Sequence, residues 1–212
     1  MSPSRTPFTP AIVVRNLRPR IDWNTCGQAA VATVLRAHGL AMPGTDAEDI
    51  DRVRSHHPPD LPFGLGTSAR RIAAALAAHG LEVEVVHSGW FGRRLPRARA
   101  RLVAHLERAL PAIVCLDGWS VNAGRWSAHW AVALWMDEEG VRLGNVPGDG
   151  LWAWERFERA WACRHLPYGH NHAAILARRP DAGAANRSHR ADDRSADDRQ
   201  LPRDPPVSSL PC

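Results

Sequence analysis

The 212-residue chain contains no lysine: all 27 basic residues are arginine. Against 22 acidic residues they leave a net charge of +5. Such a surplus would suit a polyanion only if it were concentrated, and the arginines are scattered. The one dense stretch, Arg93-Arg94, Arg97, Arg99 and Arg101, alternates with alanine and leucine as a solvated helix face does. Arginine without lysine, beside abundant alanine and proline, reports base composition rather than binding, so no nucleic-acid partner is expected. Long apolar runs are also missing, and nothing in the chain reads as a membrane span. The opening Met1-Ser2-Pro3-Ser4-Arg5-Thr6-Pro7 lacks the apolar stretch of a secretory signal, so a cytoplasmic location is expected. Cysteine is scarce. Cys26, Cys115, Cys163 and Cys212 are widely spaced and form no secreted disulfide framework, so reduced thiols are expected.

What the chain does have is one good core. A hydrophobic content of 44% over this length supports a single folded domain, expected over 20–179, with an N-terminal extension at 1–19 and a disordered tail at 180–212. The tail loses aromatics, gains Pro, Ser and Asp, and nearly repeats itself in Ala191-Asp192-Asp193-Arg194 and Ala196-Asp197-Asp198-Arg199. Within the domain, apolar spacing predicts a helix from Cys26 to Ala37 with Gly39 at its stop. A second helix follows Ser68 as cap and ends at Gly80. Leu81 to Val86 alternates apolar and charged residues and predicts a strand. A third helix is expected near Ala98 to Ala109, then an apolar strand from Ala112 to Leu116. His129 to Trp135 and Val141 to Val146 read as a hairpin around Asp137-Glu138-Glu139-Gly140. Trp152 to Ala162 reads as a short helix, and His172 to Ala177 as a last strand. A helical front half packed on a strand-rich back half is an α+β arrangement with room for a cleft.

Chemistry concentrates at Cys26. The residues before it, Asp22-Trp23-Asn24-Thr25, have turn chemistry, so the thiol is expected at the positive end of a helix dipole, a field that favours thiolate. His129 opens an apolar strand and Asn145 lies on the next one, sixteen positions on. Across a hairpin these two can reach one end of a sheet, giving a nucleophile, a base and an orienter. Asp149, in Pro147-Gly148-Asp149-Gly150, is a rival orienter. Cys115, inside an apolar strand, reads as a small buried hydrophobe. The many tryptophans of the back half read as core, with one or two lining a groove. Cys163, His165, His170 and His172 fall within ten residues and have the ligand types for zinc or nickel, but their spacing matches no established pattern. No metal and no cofactor is expected.

Taken in order, Asn24-Thr25-Cys26-Gly27-Gln28-Ala29-Ala30, Gly66-Thr67-Ser68, Leu110-Pro111-Ala112-Ile113-Val114, and His129-Trp130-Ala131-Val132-Ala133 with Asn145-Val146-Pro147 resemble the papain-like cysteine peptidases. The resemblance is to the branch related to bacterial double-glycine leader peptidases that process bacteriocin precursors. It implies a papain-like fold, a thiolate–imidazolium pair at Cys26 and His129, and Asn145 where the family has Asp or Asn ahead of proline. It also implies an oxyanion donor, usually Gln, six positions before the nucleophile. Arg20 stands there. Asn24 is a second oxyanion candidate, alongside the backbone N–H of Cys26. The expected function is hydrolysis of a peptide or amide bond through a Cys26 acyl-enzyme. The alternatives are an acyltransferase on the same fold, or a non-catalytic peptide-binding module that has lost the oxyanion glutamine. The expected partner is a peptide or amide substrate, with any transporter or biosynthetic partner a separate chain.

Overall fold

Ten consecutive residues, Cys26 to Leu35, are buried, because in this stretch of the first helix, α1 (Cys26–Ala37), every residue but Gln28 is apolar or small. A helix of that composition is stable only inside a core. The computed structural model describes residues 10–16, 24–40, 44–61, 66–89, 93–121, 128–148, 150–162 and 171–180. Arg20, Asp149, Cys163, His165, His170 and the tail expected beyond 180 lie outside them. Contacts along the chain separate at Arg179 and Pro180, and every element below belongs to the first unit.

After a 3-10 turn (Pro10–Ile12) and α1 come α2 (Asp46–His56), α3 (Ala69–Ala78), β1 (Glu82–Val86), α4 (Leu95–Glu107), β2 (Ala112–Asp117) and β3 (Ala128–Met136). β4 (Gly140–Gly144), β5 (Leu151–Ala153), α5 (Trp154–Trp161) and β6 (Ala174–Arg178) complete the order. The strands form one antiparallel sheet in the order β1-β6-β2-β3-β4-β5. Among the described residues, five α-helices and this sheet make the α+β fold expected from the sequence.

The sheet is covered on both faces. Ile113, Cys115, Trp130, Val132 and Ile175 pack with α1, α2 and α3. The alternate residues Ala112, Val114, Leu116, Ala131 and Leu176 pack with α4 and α5. Two-sided cover explains why β2 is apolar from Ala112 to Leu116 while β1, at the sheet's edge, alternates glutamate and valine over 82–85. It also adds a detail to the expected arrangement: α4 and α5 cover the face of the sheet opposite α1, α2 and α3.

Three local differences have physical causes. α2 was not expected, yet Thr45 and Glu48 form a reciprocal capping box at its start, the sequence signal that would have found it. Its Asp49, 3% exposed, is held by Arg36 of α1 and by Arg52. The helix expected over Trp152 to Ala162 is divided, because Leu151 to Ala153 are drawn into β5 by pairing with β4. Residues 10–16, expected in an extension ahead of the domain, pack into it. Val14 is fully buried and donates its N–H to Thr33 Oγ1 at 2.9 Å.

The β4–β5 pairing permits one substitution test. A Cβ on Gly140 would lie 2.0 Å from the Trp152 carbonyl oxygen, a backbone atom that cannot swing away. Gly140→Ala should therefore cost about 3 kcal/mol, the upper part of the overpacking range. Urea denaturation should show a lower midpoint with the slope unchanged.

Candidate active site

Cys26 is the first residue of α1, and the first intrahelical bond runs from Ala29 N to Thr25 O. The N–H groups ahead of Ala29 therefore have no carbonyl within the helix to bond, and they give its start a positive field. Thr25 does not cap the helix with its side chain. Gly27 follows because the loop at 66–68 comes very close: a Cβ there would lie 2.9 Å from Thr67 Cβ. Gln28 fixes that loop. Its Nε2 donates to the His57 carbonyl at 2.9 Å and to Thr67 Oγ1 at 3.0 Å. Trp130 fixes it from the sheet side, its indole N–H donating to the Thr67 carbonyl at 2.7 Å.

His129 lies near the start of β3, paired with Leu116 at the end of β2. Its side chain reaches Cys26 and hydrogen-bonds the sulfur, while Nε2 meets the main-chain carbonyl of Asn145 at 2.5 Å. With Nε2 committed to that carbonyl, Nδ1 is the nitrogen that faces Sγ. An acceptor on Nε2 fixes the tautomer and the ring orientation.

The electrostatics favour separated charge. Burial pushes the Cys26 thiol up, but the hydrogen bond and positive charge of His129, with main-chain N–H groups of Trp130 and Gly27, outweigh it and hold the thiol below its usual range. Burial likewise pushes His129 down. The hydrogen bond and negative charge of Cys26, then the Asn145 carbonyl, reverse that and hold the imidazole above its usual range. The direction for the pair is thiolate with imidazolium. Cys26 is only 5% exposed, so this charge pair is largely shielded from water.

Asn145 differs from the expected side-chain orienter. Its side chain turns away from His129: Nδ2 donates to the Trp130 carbonyl at 3.0 Å and the Cys26 carbonyl at 3.4 Å, and Oδ1 accepts from Asn16 N at 3.3 Å. The atom presented to His129 is the carbonyl oxygen. The backbone turns this way because Asn145 sits just past β4 with φ +61°, a left-handed conformation that asparagine tolerates better than most residues. The side chain thus ties α1, β3 and the N-terminal segment together, and the main chain holds the imidazole.

Of the two expected oxyanion residues, Arg20 lies outside the described residues. Asn24 is half-buried two positions before Cys26 and makes no hydrogen bond to the Cys26–His129 pair among the described residues. Of the possible metal ligands only His172 is described. Its Nδ1 lies 2.9 Å from Ser88 Oγ and its ring packs edge-on against Trp161, which is a packing role. Among the described residues no group of three His, Cys, Asp or Glu side chains is placed to hold a metal. Cys115 is buried in mid-strand, as expected. Sequence reasoning read Trp130 among tryptophans of the core or a groove, quoted Gln28 as part of a motif without a role, and passed over Asn16. The positions of Trp130 directly after His129 and of Gln28 two after Cys26 were the available signals for them; Asn16 carried none.

Solved structures share this fold at low sequence identity. The peptidase domain of Streptococcus ComA, a bifunctional ABC transporter involved in quorum sensing, matches with a TM-score of 0.52 at 19% identity, covering 76% of this chain and 96% of that one. A candidate C39-like peptidase from Bacillus anthracis matches with a TM-score of 0.52 at 12% identity, over 74% of this chain and 90% of that one. A double-glycine-motif protease from a transporter, solved with its leader peptide, gives 0.45 at 16% identity, over 73% and 84%. No family model and no curated protein matches the sequence. The fold is that of C39 peptidase domains, so the likeness expected from the motifs holds at the level of architecture.

Proposed function

We propose that this chain is a thiol hydrolase that cleaves a peptide or amide bond through an acyl-enzyme on Cys26. The observation that carries this reading is the Cys26–His129 hydrogen bond at the start of a buried helix, with the far nitrogen of His129 held by a carbonyl. The thiolate attacks the scissile carbonyl carbon and forms a tetrahedral oxyanion. His129 Nδ1–H then protonates the departing amine as the C–N bond breaks, leaving a thioester on Sγ. Water attacks the thioester and gives its proton to Nδ1. The C–S bond breaks, the acid leaves, and the thiolate–imidazolium pair is restored. Nε2–H stays on the Asn145 carbonyl throughout, so the ring does not rotate between the two half-reactions. The Cys26 N–H at the helix start supplies one oxyanion donor, with Asn24 or Arg20 as the second.

A fluorogenic peptide-amide library tests this, with Cys26→Ala as control and intact-protein mass spectrometry after acid quench. Release that depends on Cys26, with an acyl adduct trapped on it, is expected; neither release nor adduct would refute hydrolysis. Arg20 in the place of glutamine favours one second reading, a peptide-binding module without turnover. That reading requires peptide binding by the wild type with no adduct at all. An amine-dependent product in place of the free acid would instead mark an acyltransferase.

The pair also sets a pH dependence. Cys26 titrates below the ordinary thiol range, so the thiolate is present above that lowered value and is lost as pH falls through it. His129 titrates above the ordinary imidazole value, so the acid form is present below that raised value and is lost as pH rises through it. Hydrolysis should follow a bell whose acid limb belongs to the thiolate and whose alkaline limb belongs to the imidazolium. A profile that keeps rising through the free-thiol range, with no plateau at neutral pH, would contradict the ion pair.

A further inference from the structure

β1 forms one edge of the sheet, separated from His129 on β3 by β6 and β2. It pairs with β6, and among the described residues no strand lies on its other side. In an antiparallel ladder every second residue of such a strand turns its N–H and C=O outward, where a further strand can pair with them. Two adjoining grooves follow this edge on the α4 side, of about 340 and 170 Å³, and Glu84 lines both. Their opposite wall is α4, which contributes Arg97 and Arg101, with Arg94 at its N-cap and Arg108 at its C-cap. Positions 97, 101 and 108 repeat at helical spacing and share one face.

The charges in these grooves do not cancel. Glu84 pairs with Arg101, and Glu82 pairs with Arg178. Arg94, Arg97 and Arg108 have no carboxylate partner among the described residues, so five arginines face two glutamates, a net +3. On the other face of the strand, Val85 is 39% exposed, one of two large hydrophobic residues so exposed among the described residues. The edge therefore offers outward backbone groups, guanidinium groups on one side and an uncovered valine on the other.

We propose that this edge accepts an extended acidic peptide as an additional strand, with acidic side chains toward α4 and aliphatic ones beside Val85. A strand of alternating period matches both faces at once, which a helix cannot do. A second copy of β1 fits poorly, because edge-to-edge pairing would set Glu82 and Glu84 of the two copies near one another. Nucleic acid fits poorly as well: Glu82 and Glu84 line the grooves, and no Phe, Tyr or Trp does.

The test uses the full chain and a fluorescein-labelled ten-residue peptide of alternating valine and glutamate, read by fluorescence anisotropy at low ionic strength. Saturable binding is expected, weakening by at least about tenfold in the double variant Arg97→Glu/Arg108→Glu and falling with added salt. Peptides N-methylated on one or the other alternate set of amides separate strand addition from charge attraction, since at least one set should lose binding to the same degree. The iodoacetamide reactivity of Cys26 should be the same in the double variant and the wild type, showing that the fold is kept. Binding of both methylated peptides as tight as that of the unmethylated one overturns the proposal, as does unchanged affinity in the double variant. So does tighter binding of a single-stranded oligonucleotide of equal charge, or a peptide-independent dimer in light scattering in place of peptide binding.

Discussion

Replacing His129 by alanine should slow the alkylation of Cys26 by iodoacetamide at about pH 6 by tenfold or more. In the native pair the hydrogen bond and positive charge of His129 lower the Cys26 thiol against the effect of burial. Without the imidazole the remaining influences are burial, which raises the thiol pKa, and the main-chain N–H groups of Trp130 and Gly27. A free thiol with pKa about 8.5 is only about 0.3% thiolate at pH 6, a drop of roughly 300-fold from full ionisation. Part of that drop is returned, because a more basic thiolate is the better nucleophile, with a Brønsted coefficient of about 0.4–0.5. The net loss still reaches about tenfold, and burial of Cys26 enlarges it. Ultraviolet absorbance of the thiolate, taken as the difference from Cys26→Ser, reads the ionisation directly and should vanish at pH 6 in the alanine variant. Cys115 is the internal reference: buried in β2, it should remain unlabelled until the protein unfolds. A Cys26 that reacts no faster than a free thiol in the wild type would remove the basis for the proposed chemistry.

The second large effect separates the two parts of Asn145. Because its carbonyl holds His129 and its side chain holds other elements, Asn145→Gly should keep the thiolate while losing stability. Glycine adopts the φ of +61° without strain, so the carbonyl stays in place. The lost amide leaves the Trp130 and Cys26 carbonyls and the Asn16 N–H without this partner, at a cost of about 1–3 kcal/mol. Asn145→Ala loses the same bonds and adds about 1–2 kcal/mol for a left-handed backbone with a Cβ. The melting order should be Asn, then Gly, then Ala, at about 2–4 °C per kcal/mol for a domain of this size. The alkylation rate of the glycine variant should stay within a few-fold of the wild type. If it instead falls as far as in His129→Ala, the side chain is the orienter after all.

These two experiments touch the part of the site that local sequence could not specify. Cys26 at a helix start was legible because turn residues followed by a run of small and apolar residues have one local solution. His129 was legible as the polar residue at the head of an apolar strand. The pairing of Asn145 with His129 was legible as proximity across a hairpin, but not as a choice between side chain and carbonyl. That choice depends on a left-handed φ just beyond β4, and the side chain's own partners come from α1, β3 and residue 16. Asn16 is 129 positions away in the chain, and no local pattern encodes such a contact.

The same division runs through the fold. By itself the sequence determined the period of each main element: helical spacing in α1 and α3, an apolar core strand in β2, alternation in β1, and the chemical character of Cys26 and His129. These follow from local propensity and side-chain spacing, which act within a few residues. Only tertiary structure decided that the sheet would be covered on both faces, that β5 would be cut from a helical stretch by pairing with β4, and that Arg36 and Arg52 would close around Asp49. It also decided which atom of Asn145 meets the imidazole and which arginines beside β1 have no carboxylate partner among the described residues. Each of these is a contact between distant parts of the chain, set by burial and geometry after the elements pack.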